Sequence, residues 1–342
     1  MKHMVRFFCS FVLVVISVLL IFSCKRKGTE LQPLNVELSE QKIIIEENVP
    51  LLPLLDSAEI LSVPQEETTV SIENICENYR YVVLETKSEC LLGSISKVLM
   101  DDGLFFIFDK ENKLLLSFHT DGKFYKKYGN IGRGPGEYLD ISDFTYNPLR
   151  NELYVLDKKA WKIVTYNYEG NLIKEIPLYY YFMQFEVMDN GNVVQYNGLF
   201  QNTSVPALDG YRLYISDAAQ QPIFKAFPYP AGLRDKFNYE PIQAFQRTVD
   251  NRVFYNHVLS NTIWELCEDK CVARYKITFP EYETLFTDEE LETLSNEAYE
   301  EKLSHSRVFS SNYLMNNQFL AGEVILKNRF VKQFLYDRKS KR

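Results

Sequence analysis

The sequence predicts an all-β protein built as a β-propeller. Three observations point there: a repeat of 48 residues, apolar-polar alternation inside each copy, and turn residues that cut each copy into short strands. The stretch "ISKVLMDDGLFFIFDKENKLLLSFHTDGKFYKKYG" starts at Ile95 and lies above "ISDFTYNPLRNELYVLDKKAWKIVTYNYEGNLIKEI", which starts at Ile141. Asp109 falls over Asp157, Phe118 over Tyr166 and Gly122 over Gly170, each pair 48 residues apart. Both copies hold runs of β-branched and aromatic residues separated by turn formers, the pattern of strands. A period in the forties with about four strands per unit is that of propeller blades.

The chain opens on Lys2 and Arg6, then an apolar stretch from Phe7 to Phe22 relieved only by serine and cysteine. This is the layout of an export signal, and its 16 residues fall short of the roughly 20 a membrane-spanning helix needs. It ends in "LLIFSC", which resembles the lipobox of bacterial lipoproteins. By that resemblance residues 1–23 are a signal peptide, and Cys24 is acylated and ties the chain to a lipid bilayer. An uncleaved membrane anchor is the alternative, and either one exports the rest. Residues 24–69 follow, with prolines at 33, 50, 53 and 64 and acidic clusters that break continuous structure. They read as a tether, with one short strand at Ile43 to Ile45.

Residues 70–342 read as the propeller domain. "YRYVVLETKSECLLGSI" is placed as an outer strand that closes the ring against the C-terminal blade, and the two clear copies come next. Between them "GNIGRGPGEY", residues 129–138, packs four glycines into ten positions. A phosphate-binding loop runs from strand to helix, whereas "LDISDFTY" alternates like a strand. Pro135 also removes an N–H donor. The segment is therefore a crossover between blades, in which Arg133 and Glu137 either form a local ion pair or face a ligand near the central channel. "PLYYYFMQF" (177–185) masses tyrosines, among which Tyr179 and Tyr181 are candidates for gripping a sugar or peptide. Alternation sends at least half of that run into the core.

Weaker copies begin at Phe185 and Phe245, and "NNQFLAGEVILKNRFVKQFLYDRKSKR" supplies the last strands. In "WELCEDKCVARY", Cys267 and Cys271 bracket a tight turn. A disulfide, free thiols and a metal site are the three readings, and the last lacks two further ligands at suitable spacing. "FTDEELETLSNEAYEEKL" breaks the β pattern. Thr287 with Glu290 forms a capping box, Phe286 stands at the staple position against Leu291, and Leu291, Leu294 and Ala298 make an apolar stripe. A helical insertion is expected near 287–305.

The chain has 38 basic and 46 acidic residues, and removing Lys2 and Arg6 with the signal leaves 36 against 46, a balance of −10. Such a surface does not invite nucleic acid. Asp109, Asp157 and Asp189 sit at turns, where aspartate caps backbone N–H groups. Calcium at such residues is conceivable but unsupported, and no cofactor or catalytic residue is assigned.

The matching stretch from "DGKFYKKYG" to "YEGNLIKEI" resembles NHL repeats. The layout of lipobox, tether, "YRYVVLET", "GRGPGEY" and "ELYVLDKKAWKIVTYNYEGNLI" resembles a family of six-bladed β-propeller lipoproteins of gut Gram-negative anaerobes. That resemblance implies six blades and a place in the cell envelope, and the basic "KRK" at 25–27 behind Cys24 points to an outer-membrane lipoprotein facing the periplasm over display at the cell surface. About five blades can be counted directly. The leading function is a platform that binds or scaffolds an envelope protein, peptide or glycan. The alternative is a metal-dependent hydrolase or lactonase working in the central channel.

Overall fold

The middle runs of the repeats, "LFFIFD" and "ELYVLD", are apolar at nearly every position. A central strand of a blade is covered on both faces by neighbouring blades, so period 2 survives only where one face is wet. A computed structural model describes residues 45, 48–63, 80–203, 205–236, 241–279, 286–326 and 330–340. Residues Leu104–Asp109 are buried throughout and Glu152–Asp157 nearly so, while Phe124–Lys127 and Leu172–Pro177 at the outer edges are largely open. The signal segment, Cys24, Cys76 and most of the tether lie outside the described residues.

After β1 (Leu54–Ser62), five sheets follow one another along the chain. The first blade is β2 (Lys97–Asp101), β3 (Leu104–Asp109), β4 (Leu114–His119) and β5 (Phe124–Lys127). The second is β6 (Asp143–Asn147), β7 (Glu152–Asp157), β8 (Lys162–Asn167) and β9 (Leu172–Pro177). The third is β10 (Gln184–Val187), β11 (Val193–Tyr196), β12 (Tyr211–Ser216) and β13 (Pro222–Pro228). The fourth is β14 (Phe245–Arg247), β15 (Val253–Tyr255), β16 (Thr262–Leu266) and β17 (Cys271–Thr278), and the fifth is β18 (Arg307–Met315), β19 (Phe319–Leu326) and β20 (Phe330–Asp337). Each is an antiparallel meander. Apolar seams lock consecutive blades: Phe106 and Phe108 of the first meet Phe144 and Val155 of the second, and Phe254 and Ile263 of the fourth meet Phe309 and Tyr313 of the fifth.

The chain is an all-β propeller, and the six blades implied by the resemblance are not what the described residues build. They form five, the fifth with three strands. Two segments pack differently from their sequence reading. Val82 and Leu84 of "YRYVVLET" pack against Phe105, Ile107 and Phe118 of the first blade, not the last. Leu54–Ser62, inside the stretch read as tether, is β1, which adds in parallel to the outer edge of β17. Just before it, Leu51 bridges Lys225 of β13. The segment from Val49 to Leu61 thus runs along the outside of the ring as a belt. It sends Val49 into the seam of the second and third blades, Leu52 into that of the third and fourth, and Leu61 into that of the fourth and fifth.

The helical insertion is present as two helices. Residues Asp288–Thr293 carry the capping box, with the Thr287 N–H donating to Glu290 at 2.8 Å and the Glu290 N–H to Thr287 Oγ1 at 3.2 Å. Leu294 turns extended and Ser295 caps a second helix, Asn296–His305. With the short helix Leu233–Lys236 as α1, these are α2 and α3. Leu233, Leu291, Tyr299 and Leu303 pack them together with Tyr229, which follows β13, and Val308 of β18. No described helix is long and apolar enough to cross a membrane.

Candidate functional site

The end of the second strand in each of the first four blades carries a fully buried polar residue that organises the loops around it. Asp109 and Asp157 close β3 and β7, and Asn197 and Asn256 directly follow β11 and β15. Asp109 accepts the N–H groups of Gly93 (2.7 Å), Ser94 (3.2 Å) and Asn112 (3.1 Å). Asp157 accepts those of Leu139, Lys159 and Ala160. In both blades the carboxylate ties the segment leading into the blade to its second turn, as N–H-rich turns favour. Asn197 instead donates to the Phe200 carbonyl at 2.6 Å. Asp189 lies apart, exposed and bonded to Asn251.

These loops place an aromatic platform between the second and third blades. Tyr181 stands on the β9–β10 crossover with its ring 5.0 Å from that of Phe200. Lys158, just after Asp157, donates to the Tyr181 hydroxyl at 3.2 Å with its ammonium 5.1 Å from the ring centre. Buried Asn202 grips the Tyr181 backbone twice, accepting its N–H and donating to its carbonyl, each at 2.9 Å. The platform is therefore held rigid, with Phe200 40% exposed at its rim. Burial pulls the Lys158 ammonium below its ordinary range, against the opposing pull of Asp143 and Asp140.

Along the inner strands the charges are paired. Lys97 of β2 donates to Asp143 of β6 at 2.8 Å and to the Phe144 carbonyl at 2.7 Å. Burial raises the Asp143 carboxyl even so. Thr145 donates to Glu186 of β10 at 2.6 Å, and Arg247 of β14 meets the same carboxylate at 2.9 Å. Both members of that ion pair are almost wholly buried. Four inner strands are thereby stitched in sequence. Among the described residues no group of three His, Cys, Asp or Glu side chains could hold a metal ion.

The residues singled out from the sequence scatter. Glu137 folds back inside its loop to accept the Gly134 N–H at 2.7 Å, while Arg133 is exposed and not paired with it. The loop itself runs from β5 to β6, stapled by Tyr138 and Tyr166, whose hydroxyls donate to the Tyr128 and Gly136 carbonyls. A shallow open cleft of about 340 Å³ beside it is lined by Lys127, Asn130, Gly136 and Leu172. Tyr180 and Phe182 enter the core while Tyr179 and Tyr181 stay half-buried. Cys267 and Cys271 are free thiols. Cys271 lies across from Leu266 in the ladder and shares its buried face, so Cys267 is turned to the other. Lys158, Phe200 and Asn202 were missed. Alignment of Asn197 with Asp109 and Asp157 at the strand ends was the available signal for that loop.

The sequence model of DUF4934, a domain of unknown function, matches residues 57–342. Among solved structures, a candidate exported protein of Bacteroides fragilis superposes with a TM-score of 0.68 at 18% identity, over 83% of this chain and 79% of that one. More remote are a DUF4221 member from Bacteroides vulgatus, with a TM-score of 0.40 at 9% identity over 72% and 82% of the two chains, and virginiamycin B lyase from Staphylococcus aureus, with 0.37 at 13% over 69% and 68%. No curated protein matches.

Proposed function

The chain belongs to the DUF4934 family, and from that premise we propose that it is an exported lipoprotein, anchored through Cys24, whose propeller serves as a rigid platform binding a peptide or glycan of an envelope partner. The observation that carries this reading is the Tyr181–Phe200 pair with Lys158 laid over the Tyr181 ring. Aromatic faces beside an ammonium suit sugar rings and peptide side chains, and a backbone already fixed by Asn202 loses little entropy on binding. The signal layout, the lipobox resemblance and the likeness to a candidate exported protein support the location.

The test is an array of periplasmic peptides and envelope glycans probed with the wild type and with Tyr181→Ala/Phe200→Ala. Losing one stacked ring costs about 1 kcal/mol, so the double variant should bind its hits more than ~10-fold more weakly. Binding unchanged in the double variant, or none by the wild type, sinks the platform. In cells, Cys24→Ala should shift the chain from the membrane to the soluble fraction.

A further inference from the structure

A second feature lies behind the loop that carries Phe200. Arg212 of β12 is only 5% exposed, yet among the described residues its guanidinium forms no ion pair with a carboxylate and its Nη1 has no hydrogen-bond partner. A buried cation left without an anion is strongly unfavourable. Its contact is with the face of Tyr229, at 5.3 Å, and Arg234 lies 5.0 Å from the same ring. Arg234 is already balanced by Asp209 at 2.8 Å, and it also donates to the Leu199 carbonyl.

Tyr211 and Leu213, on either side of Arg212, pair with Pro228 and Ala226, and the ring of Phe227 between those two lies 5.2 Å from that of His257 on the fourth blade. The His257 Nδ1 is buried and unpartnered. Burial, reinforced by the Arg212 charge, keeps this imidazole neutral well below the usual histidine range. Two bulky residues here, Phe227 at φ 58° and Leu259 at φ 62°, sit in the left-handed region. Such strain persists only where the surroundings over-determine it, and it clusters at ligand sites. Helices α1 to α3 cover the neighbouring surface through Tyr229 and Leu259.

We propose that Arg212, Tyr229 and His257, clustered at the seam of the third and fourth blades, form a binding site for a carboxylate group. The charge count selects this ligand. Among the described residues Arg234 and Asp209 cancel and His257 is neutral, so Arg212 leaves one uncompensated positive charge, which fits a monoanion better than a phosphate dianion. The guanidinium offers the flat donor edge that carboxylates take, and the neutral imidazole can turn its Nδ1–H tautomer toward the second oxygen. The site stands on residues separate from the Tyr181 platform.

The experiment follows the imidazole signals of the histidine-labelled full chain in mild detergent by NMR, titrating acetate, N-acetylglycine as a mimic of a chain terminus, phosphate, and chloride at matched ionic strength. The described histidines are His119, His257 and His305. Acetate or N-acetylglycine should move the His257 signal alone and raise the Tm. Arg212→Gln should weaken the response at least ~10-fold, with Arg212→Lys retaining part of it. A response at least ~10-fold stronger to N-acetylglycine identifies a peptide terminus as the source of the carboxylate, and an equal one a free small acid; both support the site. No His257 shift with either carboxylate at up to roughly 100 mM, the same shift with chloride, tighter binding of phosphate, or an undiminished response in a folded Arg212→Gln overturns it. If Arg212→Gln does not fold, the wild-type comparison of acetate with chloride decides.

Discussion

The first blade and the fourth are the same four-strand meander closed in different ways. The first is flanked by the segment immediately before it: the Glu85 N–H donates to the Gly122 carbonyl at 2.8 Å and its carboxylate accepts the Phe124 N–H at 3.0 Å. The fourth takes its fifth strand from the other end of the chain, where Leu54 pairs with Cys271 and Ser62 with Thr278. The first blade therefore carries its closing information locally, and the fourth borrows it. Contacts that distant form late and are lost early if their closing segment is removed.

The sharpest way to break this comparison is to excise residues 48–63. That removes seven ladder pairs and the buried side chains of Val49, Leu52 and Leu61. At about 1.5–3 kcal/mol per buried aliphatic side chain, the loss is on the order of 5–9 kcal/mol, comparable with the whole stability of a domain. Hydrogen exchange should then show protection lost from the third to fifth blades and retained in the first two. Uniform loss across all five would mean that the ring unfolds as one unit and that local closure confers nothing.

A smaller effect separates the inner strands. Arg247→Met leaves the buried Glu186 carboxylate without its ion-pair partner, at a cost of about 3–5 kcal/mol. Lys97→Met breaks the corresponding link between the first two blades, but Asp143 has its carboxyl already raised by burial and keeps the Phe185 N–H at 3.1 Å. It can take up a proton, so urea denaturation should show Lys97→Met milder than Arg247→Met. Equal losses would contradict this.

The repeat offers a finer contrast at two equivalent turns. Gly122 and Gly170 both have positive φ, 91° and 82°. A Cβ at Gly122 collides with the Val83 carbonyl oxygen, which is backbone, whereas at Gly170 it meets the Lys126 side chain, which can swing away. Gly170→Ala should cost about 1 kcal/mol and Gly122→Ala about 3 kcal/mol. The difference measures how firmly residues 80–96 clasp the first blade, and matched Tm shifts would mean that clasp is loose.

Local repetition is what made the fold legible. Asp109 and Asp157, Phe118 and Tyr166, and Gly122 and Gly170 occupy equivalent structural positions, so a 48-residue offset placed six strands, the second to fourth of each blade. The belt was not legible, because "LLDSAEILS" alternates poorly and its partner strand lies more than 200 residues away. Nor does any periodicity report the end of a ring, which is why the blade count rested on resemblance. Of the candidate site, Tyr181 stood out by composition. Lys158 lies in the β7–β8 turn and Phe200 and Asn202 in the β11–β12 loop, which only the ring brings together with Tyr181, and Arg212 reads in sequence like any charged strand residue.

The smallest effect concerns the buried polar residue at the end of the second strand in the first four blades. Burial alone would raise the Asp109 carboxyl, but hydrogen bonds from Asn112, Gly93 and Ser94 outweigh it and hold it below the ordinary range. A carboxyl depressed in the folded state contributes stability that is fully present above its unfolded value, about 3.9, and lost as pH falls through the folded value. The third and fourth blades have Asn197 and Asn256 at this position, which do not titrate. On acidification below about pH 4, exchange should therefore quicken in the first blade around Gly93, Ser94 and Asn112 before it quickens around Asn197 and Asn256. Asp109→Asn should remove that early step, because its amide oxygen still accepts two or three of the same N–H groups at every pH. If the early step persists in Asp109→Asn, another carboxylate governs the acid response, and the aspartate and asparagine blades differ in composition alone.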